Sequence, residues 1–119
     1  MKLEGKRILL VEDEYLIVQD MARAFTAAGA TVLGPVKSLA DALRQVASSG
    51  PLDGAVLDIN LQGEMVYPLA DVLMNRGVAF VFCSGYDNHV IPSRFDGVVR
   101  CEKPISPEQV AKALFGLPD

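Results

Sequence analysis

The chain has 119 residues, half of them hydrophobic, which is enough for one compact domain and too little for two. Its net charge of −4 argues against a nucleic-acid footprint or an anionic membrane surface. No apolar run approaches the roughly 20 residues of a membrane span, residues 1–6 are too polar for a signal peptide, and Cys83 and Cys101 lack metal-ligand spacing and suit a reducing cytosol. A cytoplasmic α/β domain is the expectation.

Short apolar runs alternate with amphipathic segments, the pattern of a parallel sheet joined by crossover helices. The first strand is expected at residues 7–12, an aliphatic run that leads straight into Glu12, Asp13 and Glu14. A first helix over 14–28 places Val18, Met21, Ala22, Phe25 and Gly29 on one buried face. The second strand, 31–33, is limited by Gly34-Pro35 and therefore belongs at a sheet edge. The second helix starts at Ser38, which has capping-box spacing to Asp41, buries Leu39, Ala42, Leu43 and Val46, and stops at Gly50-Pro51.

"GAVLDIN" carries the third strand, ending at Asp58, and a third helix spans 67–76 up to Gly77. "VAFVFCS" and "GVVRC" are the fourth and fifth strands. Between them, Pro92 would remove a helical hydrogen bond and push Ile91 out of the helical region. A short or irregular fourth helix, from Pro92 through Phe95, is expected there, anchored by Val90, Ile91 and Phe95 and more mobile than the rest. The last helix has Ser106 as N-cap, Pro107 as first helical residue and Gln109 completing a second capping box.

These units suggest a flavodoxin-like (βα)5 doubly wound parallel sheet of strand order 2-1-3-4-5. Right-handed crossovers bring the C-terminal strand ends to one edge, and ligands bind where the strand order reverses, between the first and third strands. Glu12 and Asp13, Asp58, Ser84 and Lys103-Pro104 all arrive at that edge. Two carboxylates about 4 Å apart repel by roughly 4 kcal/mol at an effective dielectric of about 20, so such a cluster takes up protons or holds a cation. Oxygen-only ligands in an open crevice favour Mg²⁺. Acids also favour helix N-termini, and Glu14 alone reads as a helix starter. That explanation does not cover Asp58, Ser84 and Lys103.

"LLVEDE", "AVLDINL", "FCSGY" and "EKP", in this order and spacing, resemble the receiver domain of two-component response regulators, over essentially all of residues 1–119. The resemblance implies that Asp58 accepts a phosphoryl group from a histidine kinase or a histidine phosphotransfer protein. It implies Mg²⁺ bound by Asp13, Asp58 and the backbone carbonyl of Asn60, with Glu12 ordering a metal-bound water. It makes Ser84 and Lys103 the phosphoryl-binding residues and the Lys103-Pro104 bond cis. The residue types suit the chemistry, because a loose phosphoryl-transfer transition state needs charge neutralisation more than covalent help.

Two features depart from the family pattern. Most receivers carry Tyr or Phe three residues before the lysine, where this chain has Arg100. That arginine reads either as a solvated side chain, or as part of a partner surface or a pair with an acid. "FCSGY" is similar to the Phe-Ala-Thr-Gly-Tyr signature of an atypical, mostly single-domain group, which makes Tyr86 a candidate substitute for the missing aromatic. His89, in a polar loop, does not read as a phosphohistidine, and Cys83 and Cys101 read as buried reduced thiols. Tyr15, Leu16 and Ile17 exceed what one buried helix face needs; they either cover the sheet edge or form a partner surface.

The expectation is a stand-alone phospho-accepting switch rather than an enzyme. It has no output domain after Leu117, acts through an unidentified protein partner, and leaves a homodimer open. One alternative is a receiver module from a hybrid histidine kinase. Another is an aspartyl-phosphate phosphotransferase or hydrolase of the dehalogenase type, although that chemistry wants an acid where Asn60 stands.

Overall fold

The computed structural model describes residues 1–85 and 90–116, Ile17 by its backbone alone, so Tyr86 and His89 lie outside the described residues. The elements follow in order: β1 (Arg7–Val11), α1 (Tyr15–Ala27), β2 (Thr31–Val36), α2 (Leu39–Ser48), β3 (Gly54–Asp58), β4 (Asn60–Leu61), β5 (Glu64–Met65), α3 (Tyr67–Asn75), β6 (Ala79–Ser84), a 3-10 turn (Ser93–Phe95), β7 (Arg100–Glu102) and α4 (Pro107–Phe115). The main sheet runs β2-β1-β3-β6-β7 with every neighbouring pair parallel, the expected 2-1-3-4-5 order.

Because successive strand residues face opposite sides, β1 and β3 feed two cores. Leu9, Val11, Leu57, Phe82 and Phe95 pack with Ala42, Val46, Leu69 and Leu73 of α2 and α3. Ile8, Leu10 and Val56 pack on the other face with Val18, Met21 and Phe25 of α1 and with Val110 and Leu114 of α4. Both serine caps form: Ser38 Oγ accepts from Asp41 N–H at 3.1 Å, and Ser106 Oγ from Gln109 N–H at 3.4 Å.

Two parts of the backbone near the strand ends differ from the sequence expectation. β2 does not stop at residue 33 but continues through a cis Gly34-Pro35 bond to Val36, with a register break opposite residues 9–11. Gly34 sits at φ 103, and a Cβ there would lie 2.5 Å from the Leu10 carbonyl oxygen. An edge strand can lose one N–H to proline and resume pairing. Here it does, and Val36 O accepts from Glu12 N–H at 2.9 Å, steadying the end of β1. The β4–β5 hairpin was not anticipated. Gln62 and Gly63 both have positive φ, 55 and 95, the two-residue turn that matches strand twist.

Among its described residues the fourth crossover carries one 3-10 turn, in line with the short or irregular helix expected from Pro92 through Phe95. Phe95 anchors it at 1 % exposure, with its ring 5.8 Å from Tyr67, 5.5 Å from Phe82 and 6.3 Å from Phe80. Ile91 is half-buried against the same core, but Val90 is 93 % exposed and anchors nothing.

Tyr67 Oη is shut off from solvent yet has no hydrogen-bond partner among the described residues. A buried unpaired hydroxyl is worth about 1–3 kcal/mol of destabilisation. Tyr67→Phe should therefore hold or raise the urea midpoint of the unphosphorylated domain. A clear drop would mean the hydroxyl is paired in solution.

Candidate functional site

The ends of β1, β3, β6 and β7 deliver the predicted site residues to one edge. Among the described residues the only buried polar or charged side chains are Glu12, Asp58 and Ser84, exposed by 5 %, 7 % and 3 %. Glu12, Asp13, Glu14 and Asp58 each offer a carboxylate oxygen within 4.8 Å of the others. Lys103, with a side chain only 12 % exposed, sets its ammonium 3.0 Å from Glu12 Oε2, 3.3 Å from Glu14 Oε1 and 3.4 Å from Asp58 Oδ2. The backbone holds this geometry: Lys103 N–H donates to Ser84 O at 2.9 Å, Ile59 N–H to Cys83 O at 3.1 Å, and Asn60 N–H to Asp58 Oδ1 at 3.3 Å. The Lys103-Pro104 bond is cis, as the sequence led us to expect.

Glu14 is more than a helix starter, which corrects the sequence reading. It is the N-cap of α1, but its side chain makes no capping bond and reaches Lys103 instead. Its own N–H donates to Glu12 Oε1 at 3.1 Å.

Burial, together with the hydrogen bond to and the charge of Asp58, pushes the Glu12 carboxyl up to about 8, and Lys103 only partly pulls it back. For Lys103, burial disfavours the charge. The hydrogen bond to Glu12 and the charges of Glu12, Asp58 and Glu14 outweigh that and hold the ammonium above its ordinary value. The crevice thus has more negative charge than one lysine neutralises. The acidic side chains gathered around Asp58 offer carboxylate oxygens, a set that fits a hard divalent cation.

Arg100 is half-buried, and its Nε donates to Ser84 Oγ at 3.0 Å, so it is not the solvated side chain that its residue type suggested. Cys83 and Cys101 are free thiols facing each other across the β6–β7 ladder. Burial, reinforced at Cys83 by nearby negative charge, raises both, so neither is poised as a nucleophile. Tyr15 and Leu16 are exposed and do not cover the sheet; Leu16, Glu14, Lys103, Pro104 and Ile105 line an open cleft of roughly 580 Å³ beside the site. Tyr86, the proposed stand-in aromatic, lies outside the described residues.

No family model matches the chain, and no curated protein matches it. Solved structures do. SdrG from Sphingomonas melonis Fr1 in solution is 37 % identical over 96 % of each chain, with a TM-score of 0.81. The BeF3-activated conformation of SdrG from Pseudomonas melonis Fr1 is 38 % identical, over 91 % of this chain and 92 % of that one, with a TM-score of 0.71. A response regulator receiver protein from Sinorhizobium medicae WSM419 is 28 % identical, over 95 % of this chain and 94 % of its own, with a TM-score of 0.76.

Proposed function

This chain belongs to the response regulator receiver family, and on that premise we propose that Asp58 takes a phosphoryl group from a histidine kinase or a histidine phosphotransfer protein. The observation that carries the reading is Asp58 itself: a buried carboxylate at the end of the central strand, 3.4 Å from the Lys103 ammonium and beside Glu12. An Asp58 oxygen forms the new bond to phosphorus as the bond from phosphorus to the donor imidazole breaks. The transition state is loose, so positioning and charge neutralisation dominate. Held by Asp13, Asp58 and the Asn60 carbonyl, with Glu12 ordering a water, Mg²⁺ would neutralise charge on the transferring group.

Lys103 then turns from the carboxylates to a phosphoryl oxygen, as a compact point charge on a flexible stem can do. The Ser84 hydroxyl donates to another. The open cleft beside Lys103 gives a donor protein access. In this reading the chain is a cytoplasmic signalling switch of the atypical group rather than a turnover enzyme, and it acts through a partner protein. A hydrolase of the dehalogenase type is disfavoured, since Asn60 stands where its second acid belongs and Asn60 Oδ1 already accepts from Gly63 N–H at 2.7 Å.

Acetyl phosphate with Mg²⁺ should add one phosphoryl group, read by intact-protein mass, and Asp58→Asn should abolish it. Equal labelling of that variant would sink the assignment. Asp13→Ala should weaken Mg²⁺ binding and yet raise the metal-free melting temperature, because it removes one of four crowded carboxylates. A lower metal-free melting temperature would show that the cluster is not strained by repulsion.

A further inference from the structure

The β6–β7 ladder explains how Arg100 reaches Ser84. Phe82 is paired with Arg100 and Ser84 with Glu102, so Ser84, Phe82 and Arg100 share one face of the sheet. That face carries the Phe82–Phe95–Tyr67 ring cluster. Asp58 is paired with Cys83, the residue between Phe82 and Ser84, and so belongs to the opposite face. Ser84 Oγ is therefore held at 3.0 Å by Arg100 Nε on the side away from the Asp58 carboxylate.

A serine hydroxyl has a single hydrogen, and a phosphoryl oxygen only accepts. To donate to a phosphoryl group on Asp58, Oγ must swing about χ1 towards the strand edge, and a hydrogen bond to a charged guanidinium opposes that swing. We propose that Arg100 is the positioning residue of the switch: its Nε–H holds the Ser84 hydroxyl on the Phe82 face while Asp58 is unmodified, and that one hydrogen bond breaks when the hydroxyl turns to a phosphoryl oxygen. This rests on the receiver reading above.

Breaking that bond leaves the Arg100 Nε–H on the face where Tyr67 Oη is sealed from solvent without a hydrogen-bond partner among the described residues. It also leaves it beside the rings that anchor the Ser93–Phe95 turn. Phosphorylation is then felt at that turn through an arginine, in place of an aromatic side chain.

The test is a side-chain and backbone ¹H–¹⁵N spectrum of the full chain with and without beryllofluoride and Mg²⁺. The Arg100 Nε–H signal is assigned by its loss in Arg100→Lys. It should be protected from solvent exchange in the wild type and lose that protection in Ser84→Ala. Beryllofluoride should produce the same loss in the wild type and none in Asp58→Asn. Arg100→Met, which has no latch to break, should bind beryllofluoride severalfold more tightly, whereas an arginine with a purely structural role would leave that affinity unchanged or weaken it. If the amides around Asp58 respond to beryllofluoride while Arg100 Nε–H stays protected, or if Arg100→Met binds no more tightly, Arg100 is not the switch and the phospho-accepting reading stands. If the amides around Asp58 do not respond at all, both fall.

Discussion

Lys103→Met should destabilise the metal-free domain by about 3 kcal/mol in mildly alkaline buffer, the scale for stripping one partner from a buried ion cluster. The ammonium is the shared cation of Glu12, Glu14 and Asp58, and its side chain is only 12 % exposed. The loss should depend on pH in a stated direction. Glu12 is raised from 4.5 to about 8 by burial first and by Asp58 second, so the folded domain binds this proton more tightly than the unfolded chain does. The stabilisation from that proton is complete below about 4.5 and disappears as pH rises through about 8. Removing Lys103 takes away the main influence that lowers Glu12 and should move its titration higher still.

At about pH 6, then, Glu12 is neutral in both proteins and the penalty for losing Lys103 is moderate. Above pH 8 the wild type carries an ionised Glu12 opposite a cation, while the variant, whose Glu12 titrates higher, must keep that proton at a cost in stability that grows with pH. Mg²⁺ should recover part of the loss by binding only the folded state. Urea unfolding at the two pH values, with and without Mg²⁺, reads the effect. A penalty equal at both would show that Lys103 does not compensate this cluster.

The chemistry of the edge was legible because hydrophobic runs ended on polar residues. Asp58 closes an apolar strand, Ser84 closes another, and such positions have few structural explanations. The backbone was legible where local signals act: Ser38 and Ser106 cap helices in the pattern their neighbours announce. What stayed hidden were choices of partner across the fold. Glu14 and Lys103 are 89 positions apart, and nothing local to Glu14 separates a helix starter from a ligand of that lysine. Arg100 was left open between solvent and a partner surface or acid, because register with Phe82, which turns it towards Ser84, leaves no local signal. The β4–β5 hairpin has strands of two residues, too short to show a period of two, although Gly63 marked the turn. β2 was cut short at Gly34-Pro35 by a rule that binds central strands more tightly than edges.

Phe95→Ala should cost about 3–5 kcal/mol, the range for deleting a buried phenylalanine. That is a large part of the roughly 5–15 kcal/mol a small domain possesses. Among its described residues the fourth crossover has one 3-10 turn, and Phe95 is the one buried side chain there. Phe95 stacks on Tyr67 and meets Phe82 edge-on, geometries that add to the burial itself. The competing tether is Arg94, which grips Asp71 through two hydrogen bonds of 2.8 and 3.1 Å and lies over the Phe95 ring. Both members of that pair are about half exposed, so water screens them and the pair contributes little. Arg94→Ala should therefore shift the urea midpoint far less than Phe95→Ala. Phe95→Leu should fall between them, since it keeps most of the buried volume and loses the ring contacts. Equal losses in Arg94→Ala and Phe95→Ala would show that the segment is tied down from its surface, and the aromatic cluster would then be filler rather than anchor.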